Sequence, residues 1–312
     1  MKFTKPFEKI SKRDVSSAGG KGASLGEMIQ AGIPVPSGFV VTANAFEKFL
    51  EETDLNVEID AILDSADHKE MHTIENASEK IKALILQAEI PQDITDEIRT
   101  FFKKLKSKYT AVRSSATAED STSAAWAGQL ESYLNTPEEN LLENVKKCWA
   151  SLFTPRAIFY RLEKNMRKLK ISVAVVVQKM VQSEVAGVCF TVHPVTRDYD
   201  QLVIEAGYGL GEAIVSGKVT PDTYVLNKKN WQILDKNIGT QKILITKGKV
   251  KNIEKKVPKY QQNKQKLSDT KILLLGKLCK KIEDHYKKPQ DVEWAFYKDQ
   301  FYIVQSRPIT TL

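Results

Sequence analysis

A segment near the C-terminal end of the chain predicts a β-hairpin, and its register constrains much of the remaining interpretation. Residues 289–308 contain two runs of β-branched and aromatic residues that flank a polar tip. Because side chains alternate between the two faces of a strand, Asp291 and Glu293 share one face of the first strand. By the same alternation, Gln305 and Arg307 share one face of the second strand.

The register of this hairpin decides whether its polar residues form one group. One register places Glu293 opposite Gln305. The same register places Asp291 opposite Arg307 and requires a three-residue loop at 298–300, which is a common hairpin type. A loop of two residues would shift the pairing by one position and divide the polar set between the two faces. We therefore expect the three-residue loop.

The two faces of the predicted hairpin differ in character. The apolar face is expected to be core and comprises Val292, Trp294, Phe296, Tyr302 and Val304. The polar face offers oxygen ligands of the kind that Mg²⁺ prefers and a guanidinium that suits phosphate oxygens. The simpler interpretation is a solvated face that carries a cross-strand ion pair between Asp291 and Arg307.

The composition is that of a globular protein with one large or two medium domains. Of the 312 residues, 42% are hydrophobic and 28% are charged. No apolar run reaches membrane-spanning length, and the first residues do not form an apolar signal region. The three cysteines are scattered and lack metal-ligand spacing, which favours a reducing compartment. We expect a cytoplasmic protein without a membrane partner.

Lysines are concentrated between residues 228 and 288, and the formal net charge is +8. A nucleic-acid surface is one interpretation, but the segment has no known nucleic-acid motif and few interleaved aromatic residues. A solvated protein surface is the interpretation that we prefer, and nucleic acid is not expected as a partner. Such a field would also attract an anionic substrate.

A glycine-rich segment near the start of the chain, Gly19-Gly20-Lys21-Gly22, predicts a turn that leads into a short helix. Glycines let backbone N–H groups approach an anion, and Lys21 adds a positive charge at the start of the helix. The segment is not a P-loop, because Lys21 is followed by glycine and the required upstream glycine is missing.

Two further segments carry polar residues at the ends of predicted strands. A short strand is expected to end at Arg113 beside two serines, an arrangement that suits oxyanion binding. A small-residue segment that includes Gly128 and Ser132 predicts a loop or hairpin tip, which could cover a ligand or be a tight turn. A valine-rich strand from residue 173 turns polar at Gln178.

The remaining predicted elements supply packing. The predicted helices cover residues 43–52, 71–87, 91–105, 137–150, 155–168 and 268–286. The glycine-rich segment 207–212 lacks the third glycine of a dinucleotide fingerprint, so a Rossmann site is not expected.

Taken in order, these motifs resemble the N-terminal ATP-binding domain of phosphoenolpyruvate synthase and pyruvate phosphate dikinase, which is shared with rifampicin phosphotransferase. The segments that carry the resemblance are residues 19–28, 112–120, 187–191, 209–212, 291–294 and 305–308. The resemblance implies an α+β protein with an ATP-grasp fold, in which two lobes enclose the nucleotide cleft. We expect the N-terminal lobe to cover residues 1–178 and the C-terminal lobe to cover residues 179–312.

The resemblance also implies ATP and Mg²⁺ as ligands. Lys21 would contact the ATP phosphates, and Arg113 would hold the transferring phosphates and stabilise charge in the transition state, so both are expected to be catalytic. Gly128 and Ser132 would lie in a loop over the phosphates. Gln178 would lie beside the adenine.

The resemblance assigns the polar hairpin face to the metal and the phosphates. Glu293 and Gln305 would bind Mg²⁺, and Gln305 and Arg307 would also contact the nucleotide. Met180 and Val181 would line the adenine pocket. The face assigned in this way is the one that the strand alternation groups together.

The implied activity is that of the ATP-binding half of a dikinase. Such a protein transfers the terminal phosphates of ATP to a histidine on a separate swivelling domain, in cis or in trans, as in phosphoenolpyruvate synthesis from pyruvate. None of the four histidines here lies in the family's glycine-rich Thr-Ser-His setting, so the phosphotransferase is expected to be incomplete without its histidine domain. The alternatives are the nucleotide-binding half of a rifampicin-type antibiotic phosphotransferase and a non-catalytic ATP-binding module.

Overall fold

The protein is a mixture of helices and antiparallel sheets, which confirms the predicted α+β class. A computed structural model describes residues 3–117, 131–163, 172–248 and 251–310. Within these residues, no helix is long and apolar enough to span a bilayer.

The chain divides into two compact units. The first unit comprises Met1–Glu27 and Ser37–Met180, and the second comprises Met28–Pro36 and Val181–Leu312. The predicted boundary at residue 178 assigned Met28–Pro36 to the N-terminal lobe, whereas the segment packs with the second unit. One reason is that the Ile303 N–H of the second unit donates a 2.8 Å hydrogen bond to the Pro34 carbonyl.

The first unit is built on a five-stranded antiparallel sheet in the order β1-β2-β5-β3-β4. Its strands are β1 (Thr4–Pro6), β2 (Gly38–Val41), β3 (Thr110–Ala116), β4 (Ser132–Thr136) and β5 (Val173–Lys179). The valine run of β5 is fully buried, as expected for a strand in the interior of a sheet.

The helices of residues 15–163 surround this sheet, some packed on its strands and others on neighbouring helices. They are α1 (Val15–Gln30), α2 (Ala43–Glu52), α3 (Leu55–Asp64), α4 (Met71–Gln87), α5 (Gln92–Lys104), α6 (Leu141–Ala150) and α7 (Pro155–Glu163). The predicted bounds of α2 and α4 are confirmed, whereas no bounds were predicted for α3. Helix α6 begins four residues later than predicted, because a short 3₁₀ turn precedes it.

One face of the first sheet forms the main hydrophobic core. Phe39, Val112 and Val175 belong to this core together with buried residues of the surrounding helices. Trp149 of α6 stacks on Phe49 of α2 with ring centroids 4.9 Å apart. Because strand side chains alternate, the residues between these apolar positions lie on the opposite face of the sheet.

The second unit contains a six-stranded sheet in the order β13-β12-β6-β7-β8-β9 and a separate two-stranded sheet, β10-β11. Its strands are β6 (Val185–Phe190), β7 (Gln201–Tyr208), β8 (Asp222–Asn227), β9 (Ile233–Asn237), β10 (Ile243–Lys247), β11 (Asn252–Lys256), β12 (Gln290–Tyr297) and β13 (Gln300–Pro308). Its helices are α8 (Glu212–Val215) and α9 (Asp269–Tyr286).

A buried ion pair joins β8 to the segment that precedes α9. The ammonium of Lys266 lies 2.7 Å from a carboxylate oxygen of Asp222, and both side chains are fully buried. The hydroxyl of Tyr224 donates to the same carboxylate at 2.6 Å, and burial raises the pKa of Tyr224, with Asp222 adding to the rise. The Gly239 N–H also donates to Asp222. The lysine-rich segment is thus not uniformly a solvated surface.

The β12–β13 hairpin has the predicted pairing but not the predicted loop. Glu293 lies opposite Gln305, and Asp291 lies opposite Arg307. This pairing confirms the predicted grouping of the polar residues. The loop, however, has two residues instead of three, Lys298 and Asp299, with φ angles of 49° and 61°. Positive φ at both positions is typical of the type I′ turn, whose twist matches that of the adjoining strands.

A β-bulge reconciles the short loop with the polar pairing. The register shifts between Glu293 and Trp294, so that Val304 is the additional residue of β13. The shift places Ile303 opposite Trp294 and also brings Phe301 into the core. The prediction that Tyr302 and Val304 supply the core face was therefore wrong, because the bulge reverses the alternation on one strand.

Candidate functional site

Arg113 lies in the middle of β3, so the prediction that a strand ends there was wrong. The strand continues because Ser114 and Ser115 pair with Val175 and Ala174 of β5. Both serines are fully buried, and their small side chains fit in the interior of the sheet. Arg113 itself is 8% exposed, so most of its side chain is enclosed by the protein.

Three of the predicted site residues share the face of the first sheet that lies opposite its hydrophobic core. Ser132 of β4 pairs directly with Arg113. Gln178 of β5 pairs with Ala111, which is two residues before Arg113 and therefore on the same face. Ser132 is exposed, whereas Gln178 is 2% exposed. The sheet thus brings together residues that are distant in the sequence.

Helix α1 meets this face at Ser115, two residues after Arg113. Gly19 has φ 67° and ψ 171°, a conformation available essentially only to glycine. A Cβ at Gly19 would lie 2.2 Å from the Ser115 hydroxyl oxygen and 2.4 Å from its carbonyl oxygen. The Ser115 hydroxyl donates to the Ala18 carbonyl at 3.1 Å. The Gly-Gly-Lys-Gly segment is therefore fixed against the strand that carries Arg113.

The charge of Lys21 acts in the same part of the first unit. Burial raises the pKa of the Cys148 thiol, Glu131 adds to the rise, and Lys21 opposes it. Both charges therefore lie within electrostatic range of one buried thiol. Glu131 immediately precedes β4, and its carbonyl accepts hydrogen bonds from the N–H and the hydroxyl of Ser114. The backbone next to Lys21 is held on β3, because the Gly22 N–H donates to the Ser115 hydroxyl at 3.4 Å.

Some predicted residues cannot be placed on this face. Gly128 lies outside the described residues. Glu119 and Asp120, the acidic residues nearest to Arg113 in the sequence, also lie outside them. Met180 is the last residue of the first unit. Val181 is the first residue of the long C-terminal segment of the second unit.

In the second unit, Arg307 forms the cross-strand ion pair that was the simpler interpretation of the hairpin. Its Nε and Nη2 atoms both lie 2.7 Å from one carboxylate oxygen of Asp291. The Asp291 side chain is 12% exposed, whereas the Arg307 side chain is 59% exposed. The ion pair therefore fixes the guanidinium at one edge and leaves most of it accessible to an anion.

Negative charge accumulates on the same face of the second sheet. Burial raises the pKa of Asp291; Arg307 opposes the rise, and Glu293 adds to it. Burial also raises the pKa of Glu205, and Asp291 adds to that rise. Glu205 lies in one cross-strand row with Glu293, because both pair with Val188. A cation at this face would relieve the repulsion among the three carboxylates.

Glu205 was missed by the sequence interpretation. The available signal was an acidic residue between the buried residues Ile204 and Ala206 in an otherwise apolar strand. That signal does not say which strands neighbour β7, so the row shared with Glu293 could not be derived from the sequence.

The donor set fits Mg²⁺ if the metal takes part of its coordination from phosphate oxygens. In the part of the chain that the structure describes, no three His, Cys, Asp or Glu side chains are grouped to hold a metal ion. Proteins commonly bind Mg²⁺ through one or two carboxylates together with substrate phosphates. Glu293 and Gln305, which are directly opposed, supply one carboxylate and one amide oxygen.

The chain belongs to the family of the pyruvate phosphate dikinase AMP/ATP-binding domain, whose model matches residues 15–312. It is 50% identical over 322 residues to a probable phosphoenolpyruvate synthase of Methanocaldococcus jannaschii. It is 46% identical over 319 residues to the corresponding protein of Methanothermobacter thermautotrophicus. Both alignments cover the whole of this chain. The family expected from the motifs is therefore confirmed.

A relative of different activity is similar along almost the same length. The rifampicin phosphotransferase of Bacillus subtilis is 41% identical over 311 residues, which cover 98% of this chain. The chain spans 27% of the Methanocaldococcus protein, 46% of the Methanothermobacter protein and 36% of the Bacillus protein. Each of these relatives is thus much longer than the chain.

Proposed function

We propose that the chain has an ATP-grasp fold with two lobes and is the ATP-binding part of a dikinase. Its role would be to transfer the terminal two phosphates of ATP to a histidine on a swivelling domain, releasing AMP. The observation that carries the proposal is the grouping of the predicted residues. Arg113, Ser132 and Gln178 share one sheet face in the first unit, and Glu293 and Gln305, which are expected to bind metal, are directly opposed in the second.

In the first unit, the proposed catalytic residues are Lys21 and Arg113. Phosphoryl transfer depends on positioning and on neutralisation of charge more than on covalent chemistry by the protein. Arg113 suits this role because it lies in an interior strand and is largely buried, so little reorganisation is needed during the reaction. We propose that Gly128 and Ser132 lie over the phosphates.

We propose that the adenine binds beside Gln178, with Met180 and Val181 lining its pocket. Gln178 is a buried amide near the end of β5, and an amide can both donate to and accept from a base edge. The connection after β5 is also where the first unit passes into the second along the chain.

In the second unit, we propose that Glu293 and Gln305 hold Mg²⁺ and that Gln305 and Arg307 also contact the nucleotide. When bound, the metal would neutralise phosphate charge. Arg307 would contribute a planar set of donors, of which one edge is already held by Asp291. The carboxylates of Glu205, Asp291 and Glu293 share this face and supply negative charge for a cation.

The proposed partner is a phosphohistidine domain, in cis or in trans. The much greater length of the relatives supports a cis arrangement in those proteins. The names of the phosphoenolpyruvate synthase relatives support pyruvate as the final acceptor of a phosphate.

Chromatography of nucleotide products tests the proposal. The chain would be incubated with ATP and Mg²⁺, alone and with a histidine-carrying domain taken from one of the longer relatives. We expect AMP only in the second mixture, and none when the histidine of that domain is replaced by alanine. Rapid AMP formation by the chain alone would contradict the proposed acceptor. Binding of ATP without AMP formation in any mixture would favour the non-catalytic module.

The similarity to rifampicin phosphotransferase supports a second candidate, the nucleotide-binding part of an antibiotic phosphotransferase. The two candidates share the first transfer and differ in the final acceptor. Adding pyruvate or rifampicin to the complete mixture and following which one is phosphorylated would distinguish them.

A further inference from the structure

A chain of buried hydrogen bonds lies beneath the polar face of the hairpin, on the side covered by α9. It begins with an ion pair between Lys228 and Glu283 of α9, in which the ammonium lies 3.0 Å from each carboxylate oxygen. The two side chains are 7% and 12% exposed. Thr191, which follows β6, donates its hydroxyl to Glu283 at 3.0 Å. Its carbonyl accepts from Lys228 at 2.7 Å.

The hydrogen-bond chain continues from Thr191 to Gln290, the first residue of β12. The Gln290 N–H donates to the Thr191 hydroxyl at 2.8 Å, and its carbonyl accepts from the Thr191 N–H at 2.9 Å. The Gln290 side-chain amide donates to the carbonyls of Lys288 and Pro289 at 3.1 and 3.3 Å. Gln290 is 1% exposed. Its side chain is therefore held in one orientation.

The hydrogen-bond chain ends at Ser306, whose hydroxyl donates to the Gln290 side-chain oxygen at 2.8 Å. Ser306 is 4% exposed and lies between Gln305 and Arg307. Because side chains alternate along a strand, fixing Ser306 from below also fixes the direction of its two neighbours on the polar face.

The strand that carries these neighbours lies at the edge of its sheet. β13 is the edge strand of its sheet, so β12 is its neighbour in the strand order on one side only. The β-bulge at Val304 also interrupts the ladder immediately before Gln305. A side-chain contact on Ser306 is therefore expected to matter more here than it would in an interior strand.

We propose that Ser306 and Gln290 are positioning residues, which hold Gln305 and Arg307 in the geometry that binds the magnesium–nucleotide complex. The inference rests on the proposed function and adds two residues to it. Supporting residues of this kind act by orienting the groups that contact the ligand, and small displacements of those groups weaken binding.

Ser306→Ala tests the inference by removing only the hydroxyl. Calorimetric titration of ATP with and without Mg²⁺ would give the gain in affinity that the metal provides. We expect Ser306→Ala to reduce this gain about tenfold, as is typical for residues that support metal ligands. Ser306→Thr keeps a hydroxyl and is expected to restore most of the gain.

The matched control is Ser78→Ala in the first unit. Ser78 is 2% exposed, and its hydroxyl donates to the Phe153 carbonyl at 2.7 Å. Ser78→Ala therefore also removes one buried hydrogen bond. Urea denaturation of both variants would report the effect on stability. A similar stability loss in both, with an unchanged metal-dependent gain for Ser306→Ala, would overturn the inference.

Two further variants make the outcome unambiguous. If Ser306→Ala does not fold, Ser306→Cys decides, because it leaves no cavity and replaces the hydroxyl by a weak donor. Glu293→Ala separates the inference from the proposed function. If Glu293→Ala abolishes the metal-dependent gain and the Ser306 variants do not reduce it, the positioning role fails alone. If Glu293→Ala also leaves the gain unchanged, the proposed metal site fails.

Discussion

The two units hold their predicted ligand-binding residues in different ways. In the first unit, Arg113 lies on β3, an interior strand that is paired with β4 on one side and β5 on the other. In the second unit, Gln305 and Arg307 lie on the edge strand β13, just after a β-bulge. In the first arrangement, strands pair with β3 on both sides, whereas in the second the pairing of β13 with β12 is supplemented by a chain of buried side-chain hydrogen bonds.

This difference shows that an exposed edge can still hold a precise geometry if buried polar groups support it. It also predicts where each unit is sensitive to mutation. The first unit should be damaged most where a glycine lets α1 approach β3. The second should tolerate changes in its turn and respond mainly to changes in its polar residues.

The largest effect is expected for Gly19→Ala. The new Cβ would meet Ser115 at 2.2 Å, and the backbone has φ 67°. Strain and overpacking together should lower the free energy of unfolding by about 3 kcal/mol or more. Gly217→Ala is the control, since its φ is 69° but a Cβ added there would meet nothing within 4 Å, and it should cost about 1 kcal/mol. Urea denaturation measures both, and equal losses would contradict the importance of the close approach.

Arg113→Lys should affect phosphate transfer more than binding. Lysine keeps the charge but lacks the planar set of donors, so we expect ATP affinity to change little and the transfer rate to fall about a hundredfold. Single-turnover AMP formation with the histidine-carrying domain is the measurement. Arg161→Lys is the control, because Arg161 is also 8% exposed in the first unit. If Arg113→Lys only lowers thermal stability, as the control does, Arg113 has no role in transfer.

Glu293→Ala should weaken ATP binding about tenfold when Mg²⁺ is present and much less when it is absent, because the carboxylate is proposed to bind the metal. Calorimetric titration under both conditions gives the two affinities. The control is Glu254→Ala, which removes an exposed carboxylate of β11 that pairs with Lys218 at 3.0 Å. Equal losses with and without the metal would argue against the metal role of Glu293.

Glu205→Gln should stabilise the protein slightly at neutral pH, by less than about 1 kcal/mol because the site is only partly buried. The folded state raises the pKa of Glu205, so it binds the proton more tightly than the unfolded state does. The wild-type protein therefore loses stability as the pH rises from the usual carboxyl range through the raised pKa. The advantage of the variant should vanish below the usual range. Urea denaturation at several pH values tests this, and an advantage that persists in acid would contradict it.

The smallest effect is expected for Lys298→Gly in the hairpin turn. Lys298 has φ 49°, so glycine should relieve strain and stabilise the protein by about 0.5 kcal/mol. Lys255→Gly on the exposed strand β11 is the control and should destabilise instead. The midpoint of urea denaturation measures both, and a loss of stability in Lys298→Gly would mean that the turn is not strained.

Local patterns predicted the elements that depend on local interactions. The helices α2 and α4 follow from apolar spacing, and their bounds are confirmed. Thr42 is the N-cap residue of α2, but its hydroxyl donates to the Phe3 carbonyl at 3.3 Å instead of capping the helix. That partner is 39 residues away, so the sequence could not supply it.

The candidate site was predicted as a set of residues but not as a geometry. The motifs supplied Lys21, Arg113, Glu293, Gln305 and Arg307. They did not supply the contact between Gly19 and Ser115, because the pattern of a strand does not say which helix covers it. The roles of these residues stay predictions until the variants are measured.

The sequence by itself determined the α+β class, the family and the pairing of the polar hairpin residues, because alternation and motif order are local properties of the chain. Only the tertiary structure decided the two-residue turn and the bulge at Val304 that compensates for it. The physical reason is that the core must be filled on one face while the polar residues stay grouped on the other. A turn with the right twist satisfies the first requirement, and one additional residue in β13 satisfies the second.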